Sequence, residues 1–426
     1  MWNEKDPSMK MTMALGLILI LSAKLHAAEL LTMDEAVATA LKSHPLAIEA
    51  NENVSAAEAR AGQAVAGYYP GIAIAADWSK GRSYLTPLES VKATEVHTDA
   101  LYLRQTIYDF GRTAGAVEAA RENRRAAAAS REVTRQDVAF RARLAYYLLL
   151  AAEKQVAATR ETVAAREAVF RQAREFFNQG IRAKVDVARA EASFYEARTA
   201  LIRAESNREI GRVELANAMG VSSLDGRVLA EPAAFAAPLP GLEESLRAAF
   251  AARAELREYA ALRNAAEAGV KTARSGHYPI LSGTASIGYA DSTFPPGGDV
   301  WAVGVNLTVP VFSGFSTVEK GKEARALLRA ADARQSNLKL RIANEVESAW
   351  LSAGDAAARS ESTEKEVAAA AESRDLAVGR YREGVGSIIE VTDAQSQALN
   401  AETARIQAGY DYHAALARLD RAVGKE

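Results

Sequence analysis

Two hydrophobic periods alternate along this chain, and the whole alternation occurs twice. From Thr32 the apolar positions Ala36, Val37, Ala40 and Leu41 fall at helical spacing. Thr32 precedes Glu35 by the interval of a capping box, with the threonine as N-cap. Pro45 opens a second helical segment, carried by an Ala/Glu-rich pattern to Ala66 and ended by Gly67-Tyr68-Tyr69-Pro70. There the period falls from about 3.6 to about 2. Ile72, Ile74, Ala76 and Trp78 alternate with small or polar residues. After a loop-like stretch holding Pro87, Leu101, Leu103 and Ile107 oppose Tyr102, Arg104 and Thr106. Helical periodicity returns at Gly111, runs to about Phe177, breaks at Gly180 and resumes from Lys184 to Met219.

The second pass repeats the first. At a shift of about 209 residues Ala64–Pro70 (AVAGYYP) falls on Ala273–Pro279 (ARSGHYP). Beyond the strands the shift becomes about 204: Tyr108 meets Phe312, Tyr146 meets Trp350, Gly180 meets Gly384 and Gly220 meets Gly424. The alternation is cleaner here. Trp301, Val303, Val305, Leu307, Val309 and Val311 oppose Ala302, Gly304, Asn306 and Thr308, while Leu281, Ala285, Ile287 and Tyr289 oppose Ser282, Thr284 and Ser286. The expected organisation is a leader over 1–28, then a first repeat over 29–221. That repeat has strands near 70–82 and 96–109 and a long helical hairpin over 111–219. A linker over 222–241, with Pro232, Pro238 and Pro240, joins it to a second repeat over 242–426. There the strands are expected near 279–290 and 300–312 and the helical hairpin over 316–422.

Each copy thus holds a two-stranded ribbon with one apolar and one polar face. Such a ribbon either packs its apolar face on a soluble core or turns it to lipid, where about 9–11 tilted residues cross a bilayer. Four strands cannot close a barrel, and open edges leave backbone amides unpaired in lipid. Membrane-spanning ribbons would therefore have to be pooled among subunits, three of which supply about twelve strands. Helices of some 65 residues would extend roughly 100 Å.

Composition supports long helices over one dense core. Much of the 49% hydrophobic content is alanine and aromatics are only 7%. No proline lies between Pro87 and Pro232 or after Pro310. Lys+Arg 52 against Asp+Glu 54 points to no nucleic-acid partner. Lys5 and Lys10 precede the apolar run Met11–Ser22, with Ala27-Ala28 after it, the layout of a secretory signal peptide. With no cysteine, disulfides, thiolate metal sites and cysteine-borne lipid anchors are excluded. His44, His97, His277 and His413 lack metal-ligand spacing, and Gly321-Lys322 lacks a phosphate loop's first glycine because Ser316 stands there. Neither an enzyme nor a cofactor site is expected.

Several stretches carry a family resemblance: LTMDEAVATALKSHP (Leu31–Pro45), the YYP and HYP before each ribbon, YDFGR (Tyr108–Arg112), and the paired turns FNQGIRAKVDVARAE (Phe177–Glu191) and YREGVGSIIEVTDAQ (Tyr381–Gln395). In this order, and twice over, the chain resembles the TolC family of outer-membrane efflux proteins across nearly its whole mature length. The resemblance implies a mainly α fold with a β-barrel contribution. A homotrimer would form a 12-stranded barrel in outer-membrane lipid of a Gram-negative bacterium, continued by a helical tube through the periplasm. It implies the exit duct of a tripartite efflux or type I secretion system, docking a periplasmic membrane-fusion adaptor and an inner-membrane pump of RND or ABC type.

By the same resemblance Gly180, Ile181, Arg182, Gly384, Val385 and Gly386 form the periplasmic, adaptor-docking tip. Asp186 and Tyr381 would link the two turns at a resting gate, and Glu390 and Asp393 match acidic ring positions. One departure is visible: where the family's second turn often has arginine, this chain has Gly386, and Arg182 holds the matching place in the first turn. The competing reading is a non-pore periplasmic coiled-coil adaptor or scaffold, which would need one helical hairpin and a compact domain of short strands instead of two matched units.

Overall fold

The computed structural model describes residues 30–83, 92–231 and 239–425. The expected leader, Pro87 and the Pro232–Pro238 part of the linker lie outside the described residues.

Thr32 caps α1 (Met33–Ser43) through a complete capping box: its hydroxyl accepts from the Glu35 N–H at 3.2 Å, and Glu35 accepts from the Thr32 N–H at 3.0 Å. α2 (Pro45–Ala66) begins with its proline in the first turn, where a missing N–H costs nothing, and His44 before it is extended. Strands β2 (Gly71–Ser83) and β3 (Lys92–Tyr108) follow, then α3 (Arg112–Asn178) and α4 (Lys184–Met219). The second copy is α5 (Leu242–Ala252), α6 (Ala254–Ser275), β5 (Ile280–Asp291), β6 (Asp299–Thr308), α7 (Ser316–Arg382) and α8 (Ile388–Val423). Matched helices have equal lengths: 11, 22, 67 and 36 residues in each copy. At 1.5 Å per residue the 67-residue helices α3 and α7 each span about 100 Å.

The four long strands make one antiparallel sheet in the order β2-β3-β5-β6, so the ribbons join through their inner strands and leave β2 and β6 as edges. Ile74, Leu101, Ile287 and Trp301 share a cross-strand row, and Ile72, Leu103, Ala285 and Val303 share the next. Nothing among the described residues covers this face: Ile74 is 81%, Trp301 76% and Val303 76% exposed. A soluble sheet of this size would bury it. Two strand limits differ from expectation. β6 stops at Thr308 instead of about 312, because Pro310 has no N–H to give the ladder, and β3 begins at Lys92 instead of about 96. The sharp turn from β3 into α3 is held by Asp109, whose carboxylate accepts from the Gly111 and Thr113 N–H groups at 3.2 and 2.8 Å. Gly111 there has φ +91°.

The long helices pack through alanine. On α4, Ala190, Ala197, Ala204 and Gly211 are buried at heptad spacing, and on α8 the matching stripe is Ala394, Ala401, Ala408 and Ala415. Small residues along these stripes let the backbones approach closely, and larger side chains gather in separate clusters, as around Tyr146 and Tyr381. In one half of its length α3 runs beside α4 and α8, and in the other beside α2 and α6; α7 likewise touches α8 and α6. Among the described residues no helix is long and apolar enough to cross a membrane.

Midway, the copies lock onto their own short helices. Gly220 (φ +70°) closes on His44 so tightly that a Cβ would sit 2.6 Å from the His44 Cα; Gly424 (φ +88°) lies against Arg253, the residue matching His44. Tyr146, buried in a core of Leu31, Leu149, Leu215 and Met219, donates to the Leu31 and Ala230 carbonyls at 2.8 and 2.7 Å. Its repeat partner Trp350 donates to Pro240 at 2.8 Å. The linker is thereby more than a tether: β4 (Val228–Leu229) pairs in parallel with β1 (Leu30–Leu31).

Candidate functional site

The two helix-to-helix turns sit side by side at the end of the long helices away from the sheet. Each is built the same way. Gly180 (φ +73°) ends α3 with its N–H on the Phe177 carbonyl, and the Ile181 N–H reaches back to Phe176 at 2.8 Å. Gly384 (φ +81°) ends α7 with bonds to Tyr381 and, from Val385, to Arg380 at 3.0 Å. These paired bonds are the Schellman arrangement, which needs a left-handed residue at its corner.

Arg182 joins the two turns. Its guanidinium donates to the Gly384 carbonyl at 2.8 Å and the Gly386 carbonyl at 2.7 Å, and lies 5.5 Å from the centre of the Tyr381 ring. Gly386 is closely confined, since a Cβ there would meet the Tyr381 nitrogen at 2.8 Å and the Arg380 carbonyl carbon at 3.0 Å. No side chain fits at Gly386 without moving backbone, and the cation comes from the opposite turn. Tyr381 is 1% exposed, packed with Phe176, Ala173, Ile388 and Val391. Its hydroxyl has no hydrogen-bond partner, so the structure contains no Tyr381–Asp186 hydrogen bond. Asp186 acts on it at a distance: burial first, then the Asp186 charge, pushes the phenol pKa up, partly offset by Arg182.

Of the acidic positions, Glu390 pairs with Arg380 at 3.5 Å and its N–H is capped by the Ser387 hydroxyl at 3.2 Å, while Asp393 is exposed on α8. Farther up the tube Arg166, 3% exposed, ties three helices: it donates to the Ser193 carbonyl at 3.0 Å, to Glu196 at 2.8 Å and to the Ser396 hydroxyl at 2.9 Å. Outward, the tip presents Ile181, Val185, Val385 and Ile389, all exposed and occupying the same two positions of each turn. Sequence reading missed Val185, Ile389, Arg380 and Phe176, although the shift of about 204 pairs Val185 with Ile389.

At the midway lock, Arg253 and Arg421 converge on Glu255 at 2.8 Å each, and Arg253 also reaches Glu345 at 2.6 Å and Arg421 reaches Asp137 at 2.7 Å. Burial alone would raise the Glu255 pKa, but the two guanidiniums outweigh it and hold the carboxyl at about 2. Among the described residues no group of acidic or histidine side chains has the arrangement to hold a metal ion.

Comparison with known proteins places these features. The family model described as "Outer membrane efflux protein" matches residues 36–221 and 246–425. The outer membrane efflux protein BepC of Brucella suis is 26% identical over 363 residues, covering 84% of this chain and 77% of its own. Among solved structures, the outer-membrane channel OprN superposes with a TM-score of 0.82 at 20% identity, covering 92% of this chain and 90% of its own. The outer membrane protein VceC from Vibrio cholerae gives 0.81 at 20% identity, covering 92% and 96%. Duplicated units, uncovered apolar strands and a tube-length pair of hairpins are therefore those of an outer-membrane efflux exit channel that extends into the periplasm, and the chain belongs to the outer membrane efflux protein family.

Proposed function

We propose that three copies of this chain close a single pore. Four strands from each subunit, pooled threefold, make twelve, and the edges β2 and β6 become neighbours across subunit boundaries. The observation carrying this reading is the sheet itself: an uncovered apolar face with two open edges, stable in lipid only when both edges are paired. Below it, α4 and α7 flank each subunit's wall, and exposed Tyr195, Ile202, Val213 and Leu376 supply apolar surface for the adjoining subunits.

Membership of the family places the channel in tripartite efflux assemblies with adaptors and inner-membrane pumps. In our reading the tip is the docking end. Gly180, Ile181, Arg182, Gly384, Val385 and Gly386 face a periplasmic adaptor, and the exposed Ile181, Val185, Val385 and Ile389 give it an apolar foothold. The resting gate is Arg182 on the second turn's carbonyls, with Tyr381 as its aromatic backing and Asp186 as a nearby charge. Repeated threefold, Glu390 and Asp393 put acidic rings at the entrance, where Arg380 offsets Glu390 and the exposed Asp393 favours cations. Native mass spectrometry of the detergent-extracted protein, followed by bilayer recording, tests the assembly. Three chains per particle and a discrete conductance are expected; a monodisperse single chain that does not conduct would end the reading.

A further inference from the structure

On the sheet's polar face one ridge rises from a floor of small side chains. Arg104 stands on β3 four residues before its end at Tyr108, and its cross-strand row is Gly71, Thr284 and Gly304. Tyr102, 41% exposed, lies on the same face among alanine and serine. The Arg104 side chain is exposed, and its guanidinium makes no hydrogen bond or ion pair with any described residue. Among residues whose side chains are described, the other charge on that face is Asp77. From Gly71, in Arg104's row, to Asp77 the strand rises about 20 Å, far beyond a Debye length of about 8 Å, so the carboxylate does not neutralise the cation.

Resting on the three-subunit barrel proposed above, with its apolar face to lipid, this ridge points into the lumen. Twelve strands about 4.8 Å apart and tilted about 40° give a circumference of about 75 Å and a radius of about 12 Å. An arginine reaching about 6 Å inward leaves about 6 Å to the axis, inside the screening length of about 8 Å. The field of three guanidiniums therefore fills the cross-section, with no small-residue bypass outside it.

We propose that Arg104, with Tyr102 beside it, forms an anion-recognition ring in the barrel, through which the carboxylate, sulfonate or phosphate groups of exported organic anions pass. The guanidinium supplies the charge and a planar pair of donors, and the phenol adds a hydrogen bond and a stacking face for aromatic anions. The ring lies at the opposite end of the conduit from the acidic tip residues Glu390 and Asp393.

The test is block of single trimers in a planar bilayer by pyrenetetrasulfonate added on the barrel side only, in wild type, Arg104→Gln and Arg104→Lys. Wild type is expected to be blocked, with the half-blocking concentration raised about tenfold or more in Arg104→Gln and within about threefold of wild type in Arg104→Lys. Equal block of wild type and Arg104→Gln, or no block of a conducting wild type, overturns the ring and leaves the pore standing. Absence of conductance in both wild type and Arg182→Ala, which frees the tip, overturns the pore, and the ring with it.

Discussion

Arg182→Ala is the sharpest perturbation of the closed tip. The guanidinium makes two charge-assisted bonds, 2.8 and 2.7 Å, to carbonyls of the opposite turn and covers the Tyr381 ring. Bonds from a charged donor are worth about 1.5–3 kcal/mol each, but Arg182 is only half-buried and water replaces part of the loss. A net cost of about 2 kcal/mol per subunit is reasonable, which corresponds to roughly a thirtyfold shift in each subunit's turn-to-turn equilibrium. Three subunits acting together enlarge it. In bilayer recordings Arg182→Ala should raise open occupancy at least about thirtyfold. Arg182→Lys should fall between, because an ammonium can still donate to the two carbonyls, as Nη2 does, but lacks the planar guanidinium that lies over Tyr381. Tyr381→Phe should leave open occupancy at the wild-type level, since the hydroxyl it removes has no partner. Wild-type conductance in Arg182→Ala, or opening by Tyr381→Phe alone, would refute this wiring of the tip.

Other residues give independent checks. Glu255 has its pKa held at about 2 in the folded chain, against 4.5 for a free glutamate, so its pairing adds about 3 kcal/mol that is fully present above pH about 4.5 and lost as pH falls towards 2. Thermal melts of wild type should drop over that window, and Glu255→Gln should flatten the drop. Gly220→Ala should block folding or assembly, because its φ is +70° and the Cβ would overlap His44, whereas Gly180→Ala, with open space around it, should cost only about 1 kcal/mol. Tyr146→Phe should lower stability by about 1–3 kcal/mol in denaturant titrations by leaving the Ala230 carbonyl without its donor, while the Leu31 carbonyl keeps the Ala230 N–H.

The fold class was legible because its signals are periodic. A shift between periods of about 3.6 and about 2, met twice, separates staves from ribbons, and the slip from about 209 to about 204 places the first copy's extra length between Pro70 and Tyr108, where β3 is longer than β6. The alanine stripes from Ala190 and from Ala394 follow the same logic. Side-chain contacts with backbone carry no period. Arg182 bonding Gly384, Tyr146 bonding Ala230 and Asp109 holding Gly111 each depend on where a carbonyl or N–H is aimed after folding. For the same reason the absence of arginine at Gly386 could be noticed, but the space that excludes any side chain there could not. β1 and β4, two residues each, are too short to show alternation, and the charge network around Glu255 draws Asp137, Glu345 and Arg421 from three other helices far apart in the chain.

Amide hydrogen exchange on the assembled protein in detergent reads the edges of the sheet directly. If neighbouring subunits complete the pore, the outward-pointing amides of Gly71–Ser83 and Asp299–Thr308 will be as protected as the interior strand amides of Ile280–Asp291. Free exchange along both edge strands, beside a protected interior, would mean that each chain keeps an open sheet and that no shared barrel forms.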